Sequence, residues 1–228
     1  MSRFGTRGRE IRARLQCLTL LAHDLRSPIT AMRLRMEEAR LHPGETDWAE
    51  TLTALQASLD RLEATVTDHL TLVRLESDAE IVKECVNFSD LIASELRRRT
   101  FRIRVSCDVQ PGIVTTGDGP LLTRLLTSLV HNAEDRTASA VTIALRRAGD
   151  EAVLQVTDDG AGIPADRWET AFDSLVQPDT AGTSDTAVAG LGLPIAREIA
   201  EQHGGTLTIE ESAQGVRFVL RVPDSDPA

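Results

Sequence analysis

A short stretch near the N-terminus, HDLRSP at residues 23–28, sets an imidazole beside a carboxylate. His23 and Ser27 are one helical turn apart, and in the heptad frame of this segment both fall on its outer face. An exposed imidazole is partly neutral near pH 7, and the adjacent Asp24 can hold the Nδ1 proton and leave Nε2 free to attack. The stretch predicts a nucleophilic histidine; the alternative is an ordinary surface histidine.

Pro28 stands inside the same helical pattern. A proline ring removes the backbone hydrogen bond from its own nitrogen to the carbonyl of residue 24 and bends the helix there. We expect this bend to loosen the helix next to His23.

A second group of candidate residues lies in VTDDGAGIP, residues 156–164, directly after a predicted strand. A carboxylate at a strand end, Asp158, can accept a hydrogen bond from the exocyclic amine of adenine. Gly160 and Gly162 let the backbone approach such a ligand closely. A tight turn without a ligand is the alternative.

Two further motifs carry groups that suit phosphate and a cation. In AGLGLPIA, Gly190 and Gly192 stand at a predicted helix N-terminus, where free N–H groups and the helix dipole favour phosphate. Asn132, in HNAEDRT, can ligate a magnesium ion that bridges nucleotide phosphates. A buried amide with satisfied hydrogen bonds is the alternative for Asn132.

The histidine must be positioned by a pair of long helices. Apolar residues at alternating spacings of three and four predict a heptad seam in each helix. The seam positions are Leu15, Leu18, Ala22, Leu25, Ile29, Met32, Met36 and Ala39, then Leu52, Leu55, Leu59, Leu62, Val66, His69 and Val73. HPGET separates the helices, and Thr46 or Asp47 can cap the second. A lone hairpin is thin, so two copies are expected to pair as a four-helix bundle.

The motifs that contain Asn132, Asp158 and Gly190 lie in a region predicted to form a sheet with helices on one face, which is an α+β arrangement. Alternating strands, a helix opening at Asp118, a helix at about residues 191–203 and a closing hairpin predict it. The predicted domains are a helical hairpin at 10–76, a linker at 77–87, an α+β domain at 88–222 and a tail at 223–228.

Composition narrows the partners. The formal net charge of -10 over 228 residues argues against a nucleic-acid surface, which needs a basic footprint. Three cysteines without CxxC spacing indicate neither a disulfide framework nor a zinc site. Without an apolar run of the ~18 residues that a membrane span needs, we expect a cytoplasmic location. Sensing would then belong to a separate sensor or membrane protein, or to a longer sensor of which this chain is the cytoplasmic part.

In this order and spacing the motifs resemble the sensor histidine kinase family of two-component systems. HDLRSP matches its H box, HNAEDRT its N box, DDGAGI its G1 box and AGLGLPIA its G2 box, while AFDSLV is a poor F box. The resemblance spans about residues 10–222.

That resemblance implies a multidomain fold and an activity. The fold is a helical hairpin of the HisKA type, forming a dimeric four-helix bundle, followed by an α/β-sandwich ATP-binding domain of the Bergerat (GHKL) type. The activity is that of an ATP-dependent protein histidine kinase, working as a homodimer with ATP and Mg²⁺. It would pass the phosphoryl group to an aspartate of a response regulator receiver domain and also act as the phosphatase of that regulator.

The resemblance also implies a role for each matching residue. His23 would be the phosphoacceptor, Asp24 its assisting acid, and Ser27 the hydroxyl that places water for dephosphorylation. Asn132 would bind magnesium and Asp158 adenine. The nucleotide loop would be shaped by Gly160, Gly162, Gly190, Leu191 and Gly192.

The sequence departs from the family pattern near the phosphates. Ser128, Asp135 and Arg136 replace the Asn, the base and the Tyr that are common there, and no basic residue stands between Arg167 and Arg197. An acid near a triphosphate adds repulsion, which Arg136 can offset by binding the nucleotide. The alternative function is therefore a histidine phosphotransfer or scaffold protein with a degenerate nucleotide site.

Overall fold

The computed structural model describes residues 25–44, 46–76, 82–101, 103–137, 139–173 and 191–225. Residue contacts divide the chain into two compact units, which meet in the sequence between Glu76 and Ser77.

The first unit is helical. Its described part contains α1, residues 25–41, and α2, Trp48–Glu76. The predicted cap forms at Asp47, whose Oδ1 accepts hydrogen bonds from the N–H groups of Ala49 and Glu50, each at 3.0 Å. The break at Pro43 and Gly44 and the start of α2 thus follow the sequence prediction.

The two helices run antiparallel. Arg35 of α1 lies 3.9 Å from Glu50, near the start of α2. Earlier in α1, Leu25 and Ile29 share an apolar groove with Leu62 and Val66, which lie further along α2. The hairpin predicted from the heptad spacing is therefore confirmed.

A single hairpin leaves much of its predicted seam in contact with solvent. Ile29, Leu59 and Val66 are 43%, 51% and 40% exposed, whereas the seam residue His69 is buried at 4%. The His69 ring is held by a contact of 3.0 Å between its Nδ1 and the carbonyl oxygen of Thr65, one helical turn earlier. The exposed part of the seam is an apolar surface that water contacts in the single hairpin.

The second unit is α+β, as predicted. Its helices are α3 (Phe88–Arg98), α4 (Gly119–Arg136) and α5 (Gly192–Gln202). Its strands are β1 (Glu84–Asn87), β2 (Arg104–Val109), β3 (Val114–Gly117), β4 (Ala140–Ala148), β5 (Glu151–Asp158), β6 (Thr206–Glu210) and β7 (Arg217–Pro223). Two 3₁₀ turns, Ala165–Arg167 and Thr170–Phe172, follow β5.

The main sheet has five strands in the order β2-β4-β5-β7-β6. β2 runs parallel to β4 and the other neighbours are antiparallel, so the sheet is mixed. Helices α4 and α5 pack on each other and against the sheet. Fully buried residues of this core include Leu122, Leu125, Leu126, Leu129, Ile143, Leu154, Ile195 and Phe218.

The start of α4 in this unit is set by a polar cap. The predicted opening of α4 at Asp118 is confirmed, because Asp118 Oδ1 accepts the N–H of Leu121 at 3.0 Å. Near α4, the His203 ring at the end of α5 accepts the backbone N–H of Asp118 through Nε2 at 2.9 Å and contacts the carbonyl oxygen of Ile199 through Nδ1 at 2.7 Å. One buried imidazole therefore joins the end of α5 to the start of α4.

Two short strands, β1 and β3, occupy positions that were predicted as a linker or a loop. β1 lies in the last four residues of the predicted linker 77–87 and pairs with β3 in a two-stranded antiparallel sheet. Residues of the predicted tail 223–228 hold this small sheet: the Ser225 N–H donates to the carbonyl of Val114 at 2.8 Å. The folded unit therefore takes in residues on both sides of the predicted 88–222 domain.

Candidate functional site

Asp158 lies at the end of β5, between β4 and β7, and is only 2% exposed. Its Oδ1 accepts the N–H groups of Gly160 at 2.9 Å and Val216 at 3.3 Å. Its Oδ2 is buried and has no hydrogen-bonding partner among the described residues. The carboxylate that was predicted to bind adenine therefore has one oxygen, Oδ2, that can accept a hydrogen bond from a ligand.

Opposing effects act on the pKa of the Asp158 carboxyl. Burial raises the pKa of this carboxyl above its ordinary value, while the N–H groups of Gly160 and Val216 and the Arg136 guanidinium lower it. A ligand that donates a hydrogen bond to Oδ2 would stabilise the ionised form further.

Glycines leave the space in which Asp158 sits. A Cβ at Gly160 would overlap the carbonyl oxygen of Arg136, at the end of α4. A Cβ at Gly215 would overlap the Asp158 carbonyl and lie 2.5 Å from Oδ1. Gly162 and Gly215 have φ of 78° and 69°, which L side chains rarely adopt. Gly215 was not among the predicted site residues, because it stands in SAQGV without a motif around it.

Arg136 holds the loop that follows Asp158. Its Nη2 donates to the carbonyl oxygen of Gly162 at 2.6 Å. The guanidinium predicted to bind the nucleotide is thus engaged with the glycine loop in this structure. Its ligand-binding role stays a prediction.

One face of α4 presents polar groups a turn apart. Ser128 Oγ and Asn132 Oδ1 are buried, and neither has a hydrogen-bonding partner within the described parts of the chain. Ser128 Oγ lies 3.6 Å from where a Cβ of Gly192 would stand, so this face of α4 meets the first residue of α5. The amide oxygen of Asn132 suits a hard cation such as magnesium.

The acid predicted to repel the triphosphate points to solvent. The Asp135 side chain is 67% exposed, and its Oδ2 lies 3.4 Å from Nε2 of His131, which is 62% exposed. At such exposure a charge acts weakly, because water screens it.

The segment beyond the glycine loop is fastened to α5. The Trp168 indole donates to the carbonyl of Ile163 at 2.8 Å. Phe172, in the weak F-box match, is buried, and the Arg197 guanidinium stacks 4.1 Å from its ring centre. Arg197 also donates to Glu169 at 3.0 Å. Arg197, which flanks the segment without basic residues, is therefore occupied by these contacts.

The structure brings Asn132, Arg136, Asp158, Gly160 and Gly162 into one unit, with Leu191 buried at 8% beside Gly192. In the other unit, Ser27 lies exposed on α1 and Pro28 is buried. His23, Asp24 and the segment 174–190, which contains Gly190, lie outside the described residues. No cluster of three or more His, Cys, Asp or Glu side chains that could hold a metal ion occurs in the described ranges.

Two family models match the chain. Residues 13–78 match the His Kinase A (phospho-acceptor) domain, and residues 117–226 match the histidine kinase-, DNA gyrase B-, and HSP90-like ATPase. The chain belongs to the sensor histidine kinase family.

Curated relatives cover nearly all of this chain. The signal transduction histidine-protein kinase AfsQ2 of Streptomyces coelicolor is 31% identical in an alignment of 222 residues that covers 91% of this chain and 41% of that protein. The probable sensor histidine kinase TcrY of Mycobacterium tuberculosis is 29% identical in an alignment of 209 residues that covers 89% of this chain and 44% of that protein. The kinase/phosphatase MprB of Mycobacterium avium is 31% identical over 220 residues, 91% and 41%. The chain thus spans less than half the length of these relatives.

Solved structures show the same fold. The histidine kinase AdeS of Acinetobacter baumannii aligns with a TM-score of 0.65 at 20% identity, over 90% of this chain and 98% of that one. The mycobacterial sensor histidine kinase MprB aligns with a TM-score of 0.53 at 26% identity, over 63% and 98%. Within the part of the chain that the structure describes, no helix has the length and apolar character to cross a membrane.

Proposed function

We propose that this chain is the core of a two-component histidine kinase, which phosphorylates His23 from ATP and passes the phosphoryl group to an aspartate of a response regulator. The observation that carries the proposal is the buried Asp158 carboxylate, whose Oδ2 has no hydrogen-bonding partner among the described residues and lies beside a loop that only glycines can form. This arrangement fits the 6-amino group of adenine, which donates a hydrogen bond in the plane of the base. The family to which the chain belongs supports the same activity.

In the proposed reaction, the neutral imidazole of His23 attacks the γ-phosphorus of ATP through Nε2. A bond forms between nitrogen and phosphorus while the bond from the γ-phosphorus to its bridging oxygen breaks, and ADP leaves with that electron pair. Asp24 would hold the Nδ1 proton and so stabilise the positive charge that develops on the ring. Ser27, exposed on α1, would later place water for the phosphatase reaction on the regulator.

Magnesium would enter with the nucleotide. Asn132 offers a single buried oxygen, Oδ1, and one amide oxygen alone does not bind Mg²⁺ well, so nucleotide phosphates and water would supply the remaining ligands. The metal would offset phosphate charge in a site whose Arg136 is engaged with Gly162. The N–H groups at the start of α5, around Leu191 and Gly192, would contact the phosphates.

The helical unit would work as a homodimer that receives the regulator. Its exposed apolar seam, with Ile29, Leu59 and Val66 at 40% to 51% exposure, supports pairing of two hairpins into a four-helix bundle. The receiver domain would dock on this bundle near His23.

The direct test is labelling of the purified chain with ATP and magnesium. We expect acid-labile label from [γ-³²P]ATP and none from [α-³²P]ATP, because only the terminal phosphoryl group is transferred. His23→Ala should abolish the label, and His42→Ala, which changes an exposed histidine, should retain it. A folded chain that takes no label would instead identify the phosphotransfer or scaffold alternative.

A further inference from the structure

Two adjacent carboxylates at the end of β5 have opposite surroundings. One oxygen of Asp158 has no hydrogen-bonding partner among the described residues, whereas both oxygens of Asp159 accept hydrogen bonds from one short turn. Asp159 Oδ1 accepts the Thr137 hydroxyl at 2.5 Å and the N–H groups of Ser139 at 2.9 Å and Ala140 at 3.1 Å. Asp159 Oδ2 accepts the Ser139 hydroxyl at 2.6 Å. Donors on Ser139 and Thr137 hold the pKa of Asp159 well below its ordinary value, so this carboxyl is ionised throughout the neutral range.

The turn that Asp159 binds connects α4 to β4. Thr137 ends α4, with its N–H bonded to the carbonyl of Ala133 at 2.9 Å, and Ala140 begins β4. In the sheet, Val141 of β4 is the register partner of Asp158. The Asp159 side chain therefore fastens the end of β5 to the end of α4 at the residues next to that pair.

The same junction carries the groups that face the ligand. Gly160 packs directly on the Arg136 carbonyl, without room for a Cβ, and Arg136 donates to Gly162. If the end of α4 moved relative to β5, Gly160 would move with it. The Gly160 N–H is one of the two groups that fix the Asp158 carboxylate through Oδ1, so the direction of Oδ2 would change as well.

We infer that Asp159 is a positioning residue for adenine recognition: its carboxylate fastens the α4–β4 turn to the end of β5 and thereby aims Asp158 Oδ2 at the 6-amino group of the base. This inference rests on the proposed function, and it adds a residue that does not itself touch the nucleotide.

Asp159 also affects Asp158 through charge. Its negative charge raises the pKa of Asp158, in the same direction as burial does. An Asp159→Asn variant removes that charge but can retain much of the geometry, because the amide oxygen can still accept the N–H groups of Ser139 and Ala140. Asp159→Ala removes both.

Base preference separates positioning from a general loss of stability. ATP carries an amine at position 6 of the base, and ITP carries a carbonyl oxygen, which would face Asp158 Oδ2 as a second acceptor. We would measure the dissociation constants of both nucleotides with magnesium, by calorimetry on the full chain. The variants are Asp159→Ala, Asp159→Asn and the control Asp166→Asn, which changes an exposed carboxylate in the turn after the glycine loop.

For wild type and Asp166→Asn we expect ATP to bind at least about tenfold more tightly than ITP, as one hydrogen bond to a charged group would give. Asp159→Ala should bring this ratio close to one, and Asp159→Asn should restore most of it. In Asp159→Asn the pH below which ATP binding is lost should also move lower, since Asp158 has lost a like-charged neighbour.

Two results would overturn the inference, and they can be told apart. If Asp159→Ala weakens both nucleotides equally and keeps the wild-type ratio, Asp159 only stabilises the fold, and the proposed function stands. If wild type itself shows no preference for ATP, the adenine site and the proposed function fail together with the inference.

Discussion

Gly215 packs against Asp158 so closely that a Cβ at Gly215 would overlap the Asp158 carbonyl oxygen and stand 2.5 Å from Oδ1. These residues are far apart in the sequence, and the Val216 N–H that follows Gly215 is one of the two donors to that carboxylate. The turn before β7 is therefore part of the candidate nucleotide site.

Gly215→Ala should destabilise the second unit and abolish ADP binding at the proposed site, because the methyl group displaces the carboxylate. Gly112→Ala is the matched control: Gly112 has a φ of 75°, close to the 69° of Gly215, but nothing lies within 4 Å of its Cβ position. The control should cost only the backbone strain of about 1 to 2 kcal/mol. Urea unfolding and ADP calorimetry on both variants check this, and equal losses in the two would be against the packing argument.

Asp158→Asn should weaken ATP binding by about tenfold or more, the value of a hydrogen bond to a charged group. The amide must turn its oxygen toward the N–H groups of Gly160 and Val216, which leaves Nδ2, a donor, facing the donor on adenine. A fluorescent ATP analogue measures the change. Asp150→Asn, at an exposed turn, should bind as wild type does.

The same carboxylate predicts how ATP binding depends on pH. In the proposed site, adenine binds the ionised form of Asp158, and burial raises the pKa of this carboxyl. Affinity should therefore be constant near neutral pH and fall as the pH decreases toward that raised pKa. The fall attributable to Asp158 should be absent in Asp158→Asn. A pH profile of equal shape in both proteins would show that another group controls binding.

The surroundings of His203 indicate a second effect of pH, on the free energy of unfolding. Burial lowers the pKa of His203 below its ordinary value of 6.5, and its Nε2 must stay unprotonated to accept the Asp118 N–H. The charged groups that act on the ring are Lys83, which lowers its pKa further, and Asp118, which raises it. The unfolded chain then binds a proton more readily than the folded one, so the free energy of unfolding should fall as the pH drops below 6.5.

Urea unfolding between pH 7.5 and 5.5 tests the His203 effect. His203→Gln, whose side-chain oxygen can still accept the Asp118 N–H, should show a smaller loss of stability across this range than wild type. His131→Gln, at an exposed histidine of α4, should lose as much as wild type. If His203→Gln and wild type lose the same amount, His203 does not control the effect.

Dimerisation should depend on the exposed seam and not on apolar exposure in general. Leu59→Asp places a charge on the predicted seam of α2 and should weaken the dimer at least about tenfold. Leu34→Asp is the control, since Leu34 is 69% exposed but lies off the seam of α1. Light scattering over a dilution series measures both. A wild-type chain that is monomeric at micromolar concentration would disprove the four-helix arrangement.

The long elements of this chain could be predicted because their patterns repeat. The α2 seam and the alternation in β4 and β5 each extend over many residues, and Asp118 marks its helix with a cap. β1 and β3 could not be predicted, because each has only four residues and β1 buries almost none of its surface. Their pairing is decided by tertiary contacts.

The candidate site was predictable where a motif carries it. Asp158, Gly160 and Gly162 stand together in one loop and were found. Gly215 was missed because the group that leaves no room for a Cβ there is Asp158, at the end of β5 and distant in sequence. The contact of Arg136 with Gly162 was missed for the same kind of reason, since charge alone suggested a phosphate for this guanidinium.

The central claim is that His23 takes the γ-phosphoryl group of ATP, and mass spectrometry of the phosphorylated chain tests it most directly. Trypsin releases residues 15–26, LQCLTLLAHDLR, as one peptide that contains His23. After incubation with ATP and magnesium, and digestion without acid, we expect one added phosphoryl group on this peptide at His23. Asp158→Asn should show much less of it at limiting ATP. Phosphate found only on another residue, or a peptide that stays unmodified while ATP is bound, would contradict the account.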